Sequence, residues 1–309
     1  MCEHHGSAPF SGTVPPPDPA IEAAQVRALW EPLGLPGIID VHTHFMPARV
    51  LNKVWDYFDA AGPKIGRPWP ITYREAEDER VERLRAYGVL AFSSMLYPHR
   101  PEMGAWLNSW SAEFASRHSD CLHTATFYPE ETAGVYVRDA LDAGAQVFKS
   151  HIQVGEYDPG HPLLDSVWGA LSEAQVPTVI HCGSGPVAGD FTGPGPVAGV
   201  LERFPDLPLI VAHMGMNEYS EFLDLAQKYP NVYLDTTMAF TDFVEDTTPF
   251  PPSERGRLAD LGDKVLLGTD FPNIPYPYPH QLEALVRLEM GEDWLRAVWH
   301  GNAARLFGI

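Results

Sequence analysis

Two histidines two residues apart, His42 and His44, follow the apolar run Gly37-Ile38-Ile39-Asp40-Val41. Side chains alternate across a strand, so this spacing puts Asp40, His42 and His44 on one face at a strand end. Two imidazoles sharing a face can hold one metal ion. A buried polar row without partners is costly, so other residues should answer it. Further runs supply them: Phe148-Lys149-Ser150-His151, Val179-Ile180-His181-Cys182-Gly183, Ile210-Val211-Ala212-His213-Met214-Gly215 and Leu267-Gly268-Thr269-Asp270-Phe271-Pro272. In each, an apolar stretch gives way to a polar residue and then to Gly, Pro or polar residues. One such histidine is more often a hydrogen-bonded core residue than a ligand. Residues of ligand type at five such ends point instead to a shared centre.

The elements that would carry these residues alternate along the chain. Apolar or β-branched strands are expected near 37–45, 89–96, 121–127, 146–152, 177–182, 207–214, 232–237 and 265–270. Asp18 before Pro19 is an N-cap signal for a short helix to about Trp30. Residues 73–87 read as a helix with acids early, arginines late and Gly88 as its stop. Asn217 is placed to cap a helix lined by Tyr219, Phe222, Leu223 and Ala226. Residues 45–72, rich in aromatics and prolines, read as a long connection. Strands of this kind between helices form a parallel sheet covered on its faces. Eight such units make an α/β protein, a (β/α)8 TIM barrel in a single domain over 37–309, after a tail and short helix over 1–36. An open doubly wound sheet would carry a Gly-x-Gly-x-x-Gly turn after the first strand, which is missing. In a barrel the active site lies at the C-terminal strand ends, where the candidates fall.

The chain has 309 residues, 41 acidic against 21 basic, for a formal net charge of −20. That argues against nucleic acid or an anionic membrane as partner, and an anionic substrate would have to be drawn in by a local positive feature such as a metal; the expected partner is a small-molecule substrate. Cys2, Cys121 and Cys182 have no disulfide or zinc-knuckle spacing, which fits a reducing, cytoplasmic setting. Cys2, His4 and His5 stand in the tail, where metal binding is the weaker explanation. Residues 1–10 lack a charged-then-apolar leader.

The strand-end motifs, with His42-Thr43-His44 and the terminal Asn302-Ala303-Ala304-Arg305-Leu306-Phe307, resemble the amidohydrolase superfamily. The similarity is greatest to its amidohydrolase-2 branch of aminocarboxymuconate semialdehyde decarboxylase-like enzymes, and it spans about 38–309. The resemblance implies that His42, His44, His181 and Asp270 ligate a divalent metal, zinc first and iron or manganese otherwise. It implies that His213 holds or deprotonates the activated water, with Asp270 able to pass a proton to the leaving group. Lys149 would be a ligand only if carboxylated in a two-metal site, which would also recruit His213. One ion is favoured over two, and His151 fits the one-metal pattern. Barrels of this branch often form homodimers.

Two chemistries follow from the resemblance. The first choice is hydrolysis of an amide, lactone, ester or thioester of a small carboxylic acid. The alternative is nonoxidative decarboxylation of a small unsaturated or aromatic acid; Glu-x-His marks some of those decarboxylases in the first strand, and this chain has His-x-His. A barrel that binds a ligand without catalysis is the third reading, against which the intact ligand set speaks. Arg49, Lys53 and Arg100 lie in loops over the expected mouth, where Arg49, Arg100 and His151 are candidates for substrate binding, and His99 and His280 are similarly placed. Aromatics of 45–72 (Phe45, Trp55, Tyr57, Phe58, Trp69) and of later loops (Phe240, Phe243, Phe250, Phe271, Tyr276, Tyr278) either wall a ligand or pack loops onto the rim. Cys182 should point away from the metal by strand alternation.

Overall fold

The computed structural model describes residues 16–309. Most of the N-terminal tail, with Cys2, His4 and His5, lies outside the described residues. The strands are β1 (Ile38–Asp40), β2 (Val89–Ser93), β3 (Cys121–Leu122), β4 (Thr124–Thr126), β5 (Val147–His151), β6 (Thr178–His181), β7 (Leu209–Val211), β8 (Val232–Asp235) and β9 (Val265–Leu266). All pair in parallel, β1-β2-β3 in one ladder and β4 through β9 in the other. β3 and β4 are two halves of one strand interrupted at His123, and they join the ladders on one side. On the other side the Val41 amide donates to Leu267 O (2.9 Å) and the Asp270 amide to His42 O (2.9 Å). The result is a closed eight-stranded barrel.

Alternation decides which side chains fill it. Ile39, Val41, Ala91, Val147, Val179, Ile210 and Leu266 form an inner cluster, joined by Ala303 of the C-terminal helix Asn302–Phe307. Phe92, Phe148, Ile180, Val211, Leu234 and Val265 belong to the larger cluster shared with the surrounding helices. Cys182 is buried in that outer layer, as strand alternation required. Asp18 caps helix Pro19–Trp30, its Oδ1 accepting from Ala20 N (2.9 Å) and Ile21 N (3.1 Å).

The expected strands and helices are found, with shifted bounds. The helix expected from 73 begins at Glu77, where the Glu79 carboxylate accepts from Ala76 N at 3.0 Å, and Gly88 ends it at φ 84°. Glu218, not Asn217, precedes helix Tyr219–Lys228; Asn217 instead donates to Ser184 Oγ at 3.0 Å. The stretch 45–72 contains helices Ala48–Ala60 and Gly62–Ile65. Helix Ala48–Ala60 carries Val50, Leu51, Val54, Trp55 and Phe58 at helical spacing, a stripe that the reading of this stretch as a connection passed over. No described helix is long and apolar enough to cross a membrane.

Candidate metal centre

β1 ends at Asp40 and the chain bends at Val41, which turns His42 and His44 together into the barrel mouth. Asp40 does not share their face. Its carboxylate accepts from Thr269 Oγ1 (2.6 Å), Tyr278 OH (2.9 Å) and the His42 amide (3.2 Å). Burial pushes its carboxyl up to about 7, against those hydrogen bonds. The bend breaks the alternation on which a common face depended.

The histidine nitrogens are fixed by what lies behind them. His42 Nδ1 stands 2.8 Å from Asp235 Oδ2. Asp235 is fully buried, which alone would raise its carboxyl, but His42 outweighs that and holds it well below the usual range. An ionised carboxylate only accepts, so Nδ1 carries the proton and Nε2 turns its lone pair outward. Lys149 Nζ donates to that lone pair at 3.0 Å. Burial pulls the Lys149 amine down to about 8, and it pulls His42 to about 3 with the Lys149 charge adding. His44 Nδ1 lies 2.5 Å from Met95 O, which fixes that ring in the same sense.

His44 Nε2 then faces Asp270 Oδ1 at 2.8 Å, and His42 Nε2 lies 3.6 Å from the same oxygen. A lone pair and a carboxylate oxygen this close repel unless a positive centre, a proton or a metal ion, lies between them. Donor atoms of His42, His44 and Asp270 all lie within 4.8 Å of one another. Two imidazoles with anchored outer nitrogens and one carboxylate are a donor set that fits a divalent cation. Burial would raise Asp270, but His44, then His213 and His42, outweigh it and hold the carboxyl far down.

The fourth expected ligand stands apart. His181 is near the cluster, but its Nε2 is 3.2 Å from Gly185 O and its ring stacks on His151 (centroids 4.0 Å apart, 11° between planes). His213 follows β7, its Nδ1 3.1 Å from Thr237 O, its ring 4.6 Å from His181 and 5.3 Å from His42. Burial lowers His213 despite Asp270 and Asp235, so the ring is neutral at pH 7. Its backbone is left-handed (φ 55°), as is that of Asp270 (φ 71°), a strain that surrounding bonds must hold.

Asp235 provides much of that hold. Besides His42 it accepts from the amides of His213 (2.9 Å) and Thr237 (3.1 Å). Sequence inspection passed over it, although it ends an apolar strand as His181 does. Gly268 is a second omission: a Cβ there would collide with Thr237 Oγ1 and stand 2.8 Å from His42 Cβ, so only glycine lets the chain leaving β9 pass.

A family model described as amidohydrolase matches residues 39–309. The chain belongs to the amidohydrolase family. No curated protein matches it. Among solved structures, an uncharacterized TIM-barrel protein from Bordetella bronchiseptica is similar at TM-score 0.69 and 21% identity, covering 88% of this chain and 98% of that one. A 5-carboxyvanillate decarboxylase variant from Novosphingobium aromaticivorans, with bound manganese, is similar at TM-score 0.60 and 14% identity (89% and 99% covered). A probable 2-pyrone-4,6-dicarboxylic acid hydrolase from Acinetobacter baumannii is similar at 0.58 and 13% (88% and 100%). At such identities these likenesses establish the barrel and nothing finer.

In this amidohydrolase the centre is the floor of a cavity of about 860 Å³. His44, Lys149, His151, His181, His213 and Asp270 line its depth, while Arg49, Lys53, His99 and Arg100 line its exposed part. His280 is not on the lining; it lies 3.7 Å from Asp242 and beside Tyr276. Of the loop aromatics, Tyr57, Phe58 and Trp69 reach the cavity. Phe45 packs on Phe92 and Phe114, and Phe271 on Tyr73, in the core.

Proposed function

We propose that this amidohydrolase is a metal-dependent hydrolase of a small carboxylic-acid derivative: an amide, lactone, ester or thioester. The observation that carries this reading is the convergence of His42 Nε2, His44 Nε2 and Asp270 Oδ1, a two-imidazole, one-carboxylate donor set that calls for a positive centre between its members. His42, His44 and Asp270 would hold one divalent cation, zinc, iron or manganese, with His181 a further ligand if its ring leaves Gly185 O. When bound, that ion supplies Lewis-acid polarisation of the substrate and activation of water.

The chain's own groups divide the remaining work. Asp270, kept ionised against burial by His44, then His213 and His42, would bind the ion as a carboxylate and pass a proton to the leaving group. His213, neutral and with Nδ1 occupied by Thr237 O, has Nε2 available to accept a proton from water. Lys149, fully buried, places a positive charge against His42 and steers anionic groups toward the floor. Without carboxylation it leaves one ion rather than two. Arg49, Arg100 and His151 would contact substrate.

Nonoxidative decarboxylation of an unsaturated or aromatic acid is the second reading, supported by the aromatic wall of Tyr57, Phe58 and Trp69. The test is metal content by elemental analysis, then turnover of ester, lactone and thioester panels against carbon dioxide release from aromatic acids. Hydrolysis predicts about one ion per chain and acid release that falls by about 10²–10⁴-fold in His213→Asn with metal retained. Carbon dioxide release without acid release from the ester panels selects the second reading. A metal-free protein that binds acids without turnover overturns both.

A further inference from the structure

The cavity is larger than the reacting end of a small acid requires. At about 860 Å³ it lies near the upper end of the range that encloses a drug-sized ligand. Its exposed part is built by helices Ala48–Ala60 and Gly62–Ile65 and by the loop before helix Gly104–Arg117. Helix Ala48–Ala60 presents two adjoining rows to it: Arg49, Lys53 and Tyr57 at i, i+4 and i+8, and Val50, Val54 and Phe58 beside them. One row is apolar and the other cationic at two of its three positions, along the same wall.

Charge singles this rim out. In a chain of net charge −20, Arg49, Lys53, Lys64 and Arg100 all line it, against Glu102 and Glu156. Lys53 pairs with Asp56 at 3.1 Å. Arg49, Lys64 and Arg100 have no carboxylate within 4.0 Å among the described residues; Arg49 lies 4.4 Å over the Trp106 ring and Lys64 5.7 Å from the Tyr57 ring. Elsewhere most of the described arginines, among them Arg74, Arg85, Arg203, Arg257 and Arg296, are matched to an acid, and those that are not, such as Arg138 and Arg255, stand away from the cavity. Rings orient Arg49 and Lys64 while leaving their donors free for a ligand.

Resting on the metal-dependent reading, we propose that the substrate is an elongated acid with a second, remote anionic group. The reacting carboxyl function would sit at the metal centre, an apolar body would run along Val54, Phe58 and Trp69, and a distal carboxylate or phosphate would meet Arg49, Lys64 and Arg100. The outer site recognises the far end of the substrate and takes no part in the chemistry.

The test compares binding by calorimetry to the manganese-loaded, full-length protein. The probes are benzoate, biphenyl-4-carboxylate, biphenyl-4,4′-dicarboxylate and 4′-phosphonobiphenyl-4-carboxylate. A doubly anionic probe is expected to bind about tenfold tighter than biphenyl-4-carboxylate. That gain should vanish in the triple variant R49Q/K64Q/R100Q, whose circular dichroism and manganese content certify the fold, and it should shrink in high salt. Whether carboxylate or phosphonate gains more identifies the distal group. Equal affinity for the singly and doubly charged biphenyls, or a gain that survives the triple variant, overturns the proposal. If benzoate binds no better with manganese than after chelation, the metal-dependent reading fails instead. The rim is still judged then, because its signature is a difference between two biphenyl acids.

Discussion

Asp235 touches no part of the cavity, yet it sets the positions of His213, which lines it, and of His42 just behind the lining. One oxygen orients His42 and the other takes the amides of His213 and Thr237. An amide cannot replace it, because its NH2 would face either the Nδ1 proton or the two backbone donors. Asp235→Asn should therefore weaken metal binding by about 10–100-fold, the usual cost of losing a partner behind a ligand. Competition with a chromophoric chelator measures this, and unchanged affinity would refute the role. The oversight at Asp235 has a physical source. No Gly or Pro follows it directly, so the break that flagged His181 and His213 is missing. Asp40 shows the converse failure: a period of two was carried past β1, while the chain bends at Val41 and sends the next side chain inward. His42, His44, His213 and Asp270 were legible because polar residues at the ends of apolar runs are expensive without a purpose.

Among the elements, helix Ala48–Ala60 is held to the centre by a single asparagine. Trp55 Nε1 donates to Asn273 Oδ1 (3.0 Å), Trp69 Nε1 to Asn273 O (2.7 Å), and the Asn273 amide to Asp270 O (2.8 Å). The wall of the cavity and the turn bearing Asp270 are thus braced together. Trp55→Phe keeps an aromatic ring and removes the donor, a net loss of about 1 kcal/mol for the hydrogen bond. Steady-state kinetics should show a KM about fivefold higher with kcat nearly unchanged. A fall in kcat alone would instead mean that Trp55 acts on the Asp270 turn rather than on the wall. The apolar stripe of this helix, Val50, Leu51, Val54, Trp55 and Phe58, was legible, but Pro47, Gly62 and Pro63 at its ends and the prolines that follow made the stretch read as a connection. The strands were easier to find, since burial on both faces makes them continuously apolar. Their ends were misjudged where a polar residue continued the line without pairing, as after β7 and β9.

At the scale of the molecule, burying four neutral histidines around one centre makes metal-free stability depend on pH. Burial depresses His42 to about 3 and lowers His151, His181 and His213 from their ordinary 6.5. Below 6.5 the unfolded chain takes up protons that the folded one refuses, so their contribution is present above 6.5 and lost as pH falls. His42, His151 and His181, all held well below 6.5, each cost about 1 kcal/mol between pH 6.5 and 5.5, about 3 kcal/mol together, and His213 acts in the same direction. Asp40 acts the other way: with its carboxyl raised to about 7, it relieves about 1 kcal/mol over the same interval as it protonates. Falling net charge also relieves self-repulsion in a chain at −20. The histidines outweigh both. Denaturant midpoints of the chelated protein should therefore fall from pH 6.5 to 5.5, by an amount about 1 kcal/mol smaller in His181→Asn, which lacks one of the four. A midpoint that rises on acidification, or a variant that tracks the parent, would show that the imidazoles are solvated in the metal-free state and that the centre is assembled only by its ion.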